Sequence, residues 1–181
     1  PIFSLLTVWS PIVVTFGSIT MVLGATLAFR QDELKRIFAY LTVSQLGLFV
    51  CMYGLGGIED GYGGSAIDWD LSQIASHAFY KAPLFLLAGA FAHRFGIRKL
   101  SELSNFWNRR LPGSRVLIVS LLLAGYALAG APGTANFVVK EFFFGAIYNS
   151  AQLHSLIIGV ALMAVFTAVC NVAIAVRFVS T

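Results

Sequence analysis

From Ile2 to Phe29 the chain carries no charged side chain. About 20 such residues as helix cross the hydrocarbon of a bilayer, at ~1.5 Å per residue. This segment alone makes the chain an integral membrane protein, and four further uncharged runs extend the reading. The predicted spans are about 2–29, 37–58, 71–92, 116–150 and 153–176, within a single transmembrane domain over residues 1–181. The fold class expected is an all-α membrane protein, a polytopic transmembrane helix bundle of five spans. With 58% hydrophobic and 11% charged residues, the composition is far from that of a soluble domain.

The net charge of +4 does not point to nucleic acid, because the basic residues sit between the apolar runs instead of forming one polar domain. Arg94, Arg98, Lys99, Arg109, Arg110 and Arg115 mark a loop expected on the cytoplasmic side, since basic loops resist translocation. The loop "GGIEDGYGGSAIDWD", with Glu59, Asp60, Asp68 and Asp70, then faces outward, and its spacing does not fit a calcium loop. Cys51 and Cys170 each stand alone in an apolar run and read as packing. The chain opens on Pro1 with no basic n-region or cleavage site, so we expect part of a longer protein and no signal peptide.

The run 116–150 is long enough for two short spans or one broken helix. "LAGAPGTANFVVKEF" gathers Gly130, Pro132 and Gly133, where a helix loses hydrogen bonds and stiffness. One crossing also returns Arg177 to the basic side. We therefore expect one discontinuous helix, broken near 131–136. Unwound backbone at membrane depth is tolerated only where protein buries it or a wet cavity receives it.

The polar residues inside the spans carry the functional reading. An ionisable side chain at mid-bilayer costs about 2.5 to 3.5 kcal/mol on insertion scales. Gln73, His77 and Lys81 follow one another at steps of four on a single helix face, flanked by Ser76 and Tyr80. Imidazole exchanges protons near neutral pH and burial makes the neutral form of a lysine accessible, so the stripe suits a proton relay through water. The plainer alternative is one lysine paired with a carboxylate or carbonyl to fix packing. Pro83 frees the carbonyl of Phe79 and marks a kink that either admits water or only packs.

Lys140 and Glu141 are the only Lys, Arg, Asp or Glu residues between Arg115 and Arg177. Being consecutive they project about 100° apart, so Lys140 joins the relay while Glu141 serves another segment or subunit. Two charges near an interface are the alternative. Ser44 and Gln45 are expected to make helix-to-helix hydrogen bonds, and His154 to sit at the interface. No nucleophile with its base, phosphate loop, haem or iron–sulfur ligand set, metal site or dinucleotide fingerprint is present, and no cofactor is expected.

In order, "DELKRIFAYLTVSQLGLF", "SHAFYKAPLFLLAGAFAHRFGIRKLSEL" and "PGTANFVVKEFFFGAI" resemble the antiporter-like family shared by Mrp-type sodium/proton antiporters and the proton-pumping subunits of respiratory complex I. The resemblance runs from Phe29 to about Arg177 and is nearest to the large A-type Mrp subunit or its complex I counterpart. It implies that the chain is the C-terminal half of a longer antiporter-like core. Lys81 then falls on the family's central lysine, His77 on the histidine of the same helix and Lys140 on the charged residue of the second broken helix. Gln73 stands where many relatives have another histidine, and the glutamate and lysine of earlier helices would precede Pro1. "PGTANF" looks like the glutamate-bearing complex I subunit whereas Val139-Lys140-Glu141 looks like the lysine-bearing ones.

The function expected is proton translocation through His77, Lys81 and Lys140 in a multisubunit complex, foremost Mrp-type Na+/H+ antiport. Gln73, Ser76, Tyr80 and Glu141 are accessory candidates. The partners expected are other membrane subunits, protons, Na+ and the lipid bilayer of a bacterial or archaeal plasma membrane, with an organellar inner membrane as the alternative. One rival is a pumping subunit of complex I or a membrane hydrogenase. Another is a structural or anion-uptake paralogue whose charges only hold helices together.

Overall fold

The computed structural model describes residues 8–56, 66–103, 114–149 and 154–180. It contains helices α1 (Trp9–Phe29), α2 (Leu34–Gly56), α3 (Ala66–Phe95), α4 (Ser114–Ala129), α5 (Ala135–Asn149) and α6 (His154–Ser180). α1, α2, α3 and α6 are each long and apolar enough to cross a membrane. α4 and α5, at 16 and 15 residues, are each too short to span ~30 Å at ~1.5 Å per residue. Glu59 and Asp60 lie outside the described residues. Asp68 and Asp70 belong to the opening turns of α3 instead of a loop, where acids complement the positive end of the helix dipole.

The ends of α1, α3 and α6 meet the starts of α2 and α4 at one end of the bundle. An antiparallel bridge pairs Glu33 with Lys99: the Leu34 N–H donates to the Arg98 carbonyl at 3.0 Å and the Leu100 N–H to the Asp32 carbonyl at 2.7 Å. Asp32 accepts from the Ser101 N–H at 3.1 Å and from its hydroxyl at 2.7 Å. Gly96, at φ 72°, lets α3 close in a glycine cap, with the Ile97 N–H donating to the Phe91 carbonyl. Arg98 and Lys99 offer their backbone N–H groups to Glu102, holding its carboxyl below the usual carboxylate range. Arg177 donates to the carbonyls of Phe29 at 2.7 Å and Gln31 at 3.2 Å.

That contact fixes the topology of 116–150. α4 starts at the basic end, where Leu117 and Ile118 pack with Phe95, Ile97, Leu100 and Leu103, and α6 finishes there. α4 and α5 together therefore make one crossing, a discontinuous helix.

α1 and α2 pack backbone to backbone. A methyl group on Gly17, Gly24 or Gly47 would meet the backbone of Cys51, Ser44 or Met21 at under 3 Å, the small-residue contact by which membrane helices gain van der Waals area. Ser44 donates to the Met21 carbonyl at 2.8 Å, and Cys51 lies 3.3 Å from the Ser18 hydroxyl. Both cysteines are buried and free.

Two dry clusters fill the bundle. The first, toward the basic end, includes Ala28, Phe38, Leu84, Phe91, Leu121, Leu128, Ile174 and Phe178. The second includes Val14, Met21, Leu48, Val139, Phe143, Ile157 and Ala164. Between their positions along the chain, α2 contributes Ser44 and Gln45, α5 Asn136, and α6 Thr167 and Asn171, all buried. A polar layer thus separates two apolar ones at mid-span.

Gly47→Leu is expected to lower the thermal midpoint of the full-length protein by several degrees, since overpacking costs about 1–3 kcal/mol and here meets backbone that cannot turn aside. Gly89→Leu, with nothing within 4 Å of an added Cβ, is the control expected to leave it unchanged.

Candidate functional site

Lys81 lies inside α3 and is 5% exposed. Its ammonium donates to the Phe38 carbonyl of α2 at 2.8 Å, an oxygen that also accepts from the Thr42 hydroxyl at 2.9 Å. Among the described residues Lys81 has no acidic partner. Of the two packing alternatives open in the sequence, carboxylate or carbonyl, the structure shows the carbonyl.

His77, one turn away, does not hydrogen-bond to Lys81. Its Nδ1 lies 3.1 Å from the Tyr80 hydroxyl, and its ring meets those of Tyr80 and Phe49 edge to face. Gln73 is fully buried, and both its amide atoms lack a partner, as does the Ser76 hydroxyl. The four-residue stripe is therefore a shared face and not a continuous hydrogen-bonded chain, because side chains one helical turn apart touch only if both lean together.

α3 continues through Pro83, whose missing N–H leaves the Phe79 carbonyl without its intrahelical donor. Beside it a crevice of about 350 Å³ separates α3 from α4 and the break, with Ser76, Tyr80, Pro83, Ser120, Thr134 and Asn136 among its walls. It holds room for many waters.

The break is built by residues on both sides of it. Gly130 and Gly133 adopt φ of 71° and 87°, a region open to glycine and costly for other residues. The Tyr126 hydroxyl donates to the Pro132 carbonyl at 2.9 Å. Thr134 opens α5 as its N-cap, its hydroxyl oxygen accepting from the Phe137 N–H at 3.2 Å. The last carbonyls of α4 receive side-chain donors from α5. Asn136 donates to Ala127 at 2.9 Å and Leu128 at 3.3 Å, and Lys140 donates to Ala129 at 3.0 Å. The ammonium thus sits on the negative end of the α4 dipole. A Cβ on Gly130 would lie 2.7 Å from the Lys140 Nζ, so this glycine also makes space for the lysine.

Beyond that carbonyl Lys140 faces a small cavity of about 30 Å³, whose polar walls are Gln45, Thr167 and Asn171. Gln45 Nε2 and Asn171 Oδ1 lack protein partners. A donor, an acceptor and an ammonium around a space that fits a water form a site for one.

Sequence reasoning missed Asn136, Asn171, Thr167 and Tyr126. The first three carry the signal that singled out Gln45, a polar side chain inside an apolar run. The structure also separates Glu141, exposed on α5, from Lys140. The side chain of His154 lies outside the described residues.

Gly130→Ala forces a left-handed conformation at about 1–2 kcal/mol and displaces Lys140 from the Ala129 carbonyl. It is expected to destabilise the full-length protein more than Gly133→Ala, where the same conformation meets open space. Asn136→Leu, which strips the donor from two buried carbonyls, is expected to cost about 1–3 kcal/mol. Unfolding midpoints of the three variants check the order.

Comparison with known proteins agrees with this architecture. A family model described as NADH:quinone oxidoreductase/Mrp antiporter, TM, matches residues 1–167. The large A-type subunit of the Na(+)/H(+) antiporter of Alkalihalophilus pseudofirmus is 32% identical over 164 residues, covering 86% of this chain and 20% of that protein. The F(420)H(2) dehydrogenase subunit L of Methanosarcina mazei is 33% identical over 142 residues, covering 76% of this chain and 20% of that one. A chain in the structure of the Mrp complex from Dietzia sp. DQ12-45-1b superposes with a TM-score of 0.75 at 29% identity, over 94% of this chain and 18% of that chain. The chain spans about a fifth of the length of these relatives. It is a multi-pass integral membrane protein and belongs to the transmembrane family shared by NADH:quinone oxidoreductases and Mrp antiporters.

Proposed function

We propose that this chain is the later half of the antiporter-like core of an Mrp-type subunit, moving protons along His77, Lys81 and Lys140 in exchange for Na+. The observation that carries the reading is how the two lysines are held. Each donates to a backbone carbonyl, and neither has an acidic partner among the described residues. A lysine locked to a buried carboxylate leaves an orphan anion when it loses its proton, at a cost of several kcal/mol. One held by a carbonyl leaves only a neutral acceptor behind. Both lysines therefore suit repeated gain and loss of a proton.

The route follows the polar layer. The crevice beside Ser76 and Asn136 admits water next to Tyr80, which contacts His77, and the small cavity hydrates Lys140 from the α2 and α6 side. Phe38 and Gln45, which mark the two lysines on α2, are seven residues apart, or about 10 Å along the helix. Water bridges a separation of that size with two or three hydrogen bonds. Gln73, Ser76, Tyr80 and Glu141 are accessory groups, of which Gln73 cannot titrate.

A second reading is favoured by the likeness to the F(420)H(2) dehydrogenase subunit: the same relay driven by redox chemistry elsewhere in a larger complex. Purification of the native complex separates the two. Flavin or iron–sulfur subunits accompany the chain in the second reading, and small hydrophobic antiporter subunits in the first.

Lys81→Ala in the complete complex, reconstituted in vesicles, is expected to reduce coupled proton flux to background without dissociating the complex. Lys140→Ala is expected to do the same. If Lys81→Met and the double change at Lys81 and Lys140 both retain wild-type flux, the charges only hold helices together and the relay is wrong.

A further inference from the structure

Glu141 places a carboxylate at the middle of the membrane on the outside of the bundle. Its neighbour Lys140 shares a cavity with Met21, Gln45 and Asn171, each well inside its own helix, so Glu141 lies at the same depth. At about 100° per residue, Phe137, Glu141, Phe144 and Tyr148 form one stripe of α5, and all four are exposed. Val139, Phe143 and Ile147, on the other side of the helix, are the residues that pack into the bundle. Glu141 makes no salt bridge among the described residues.

Acyl chains cannot cover this stripe on their own terms. A carboxylate at mid-bilayer faces a partner charge or a wet cavity as a rule, and the surroundings here are aromatic. Tyr148 is 83% exposed. Gly145, beside the stripe, has open space where a Cβ would stand, which lets another backbone come close. Ring faces flanking the acid also favour a cation over a neutral group.

We propose that this face of α5 docks a transmembrane helix of a neighbouring polypeptide that presents a lysine or arginine at mid-membrane, paired with Glu141 and packed on Phe137, Phe144 and Tyr148. Charge complementarity selects the occupant, because a helix lacking the cation would bury the carboxylate unpaired. The inference rests on the reading of the chain as part of a multisubunit complex, yet it concerns assembly and not proton flow.

The test places the photo-crosslinker p-benzoylphenylalanine at Tyr148 of the full-length protein in its native membrane and identifies the linked peptide by mass spectrometry. An intermolecular link to an apolar segment containing Lys or Arg is expected. Glu141→Lys is then expected to reduce that adduct about tenfold or more and Glu141→Gln several-fold, and exchanging the partner's basic residue for Glu is expected to restore it in the Glu141→Lys background. Links only to lipid, to the same polypeptide or to a segment without a basic residue overturn the proposal, as does an adduct unchanged by Glu141→Lys. Flux through Lys81 variants is read separately, so loss of docking with intact Lys81 dependence sinks this inference alone.

Discussion

A helix broken inside a membrane must have its freed carbonyls answered by protein or water, because lipid offers no donor. In this chain α5 answers them with two side chains, Asn136 and Lys140, which reach back to the last turn of α4. The glycines, Tyr126 and Thr134 shape the gap, but those donors make it tolerable. The same bond that stabilises the break also brings a positive charge to mid-membrane and fixes it on the dipole of α4. Structure and function meet in that one contact.

The rest of the bundle is arranged around it. Glycine contacts draw α1 against α2, so that two dry clusters form above and below a polar layer. Ser44 commits its hydroxyl to α1, whereas Gln45, Ser76, Asn136 and Asn171 keep atoms unpaired by protein. Buried polar atoms of that kind are costly unless water or a neighbour meets them. Their concentration at one level, next to both lysines, makes the layer a place for water and not a random set of defects.

The spans and the break were legible because charge exclusion and the cluster Gly130, Pro132, Gly133 are local signals. So was the burial of Lys81, whose cost demands a reason wherever it occurs. Contacts across the bundle were not. The carbonyl partner of Lys81 lies 43 residues away, the hydrogen bond of His77 goes to Tyr80 and not along the stripe, and Asn171 reaches the Lys140 cavity from another helix. A step of four places side chains on one face but does not say which neighbour each will choose. Span limits also shifted, since α2 and α3 extend beyond their uncharged cores by letting charged residues emerge at the ends.

The central claim is that the crevice between α3 and the broken helix is wet in the assembled protein. It is tested most directly by placing a cysteine at Ser76, on the crevice wall, in a full-length protein with Cys51→Ala and Cys170→Ala, and measuring its labelling by a small water-soluble methanethiosulfonate in intact membranes. The account expects rapid modification at Ser76→Cys and none at Ala164→Cys, which lies in a dry cluster. Equal protection of both positions would contradict it.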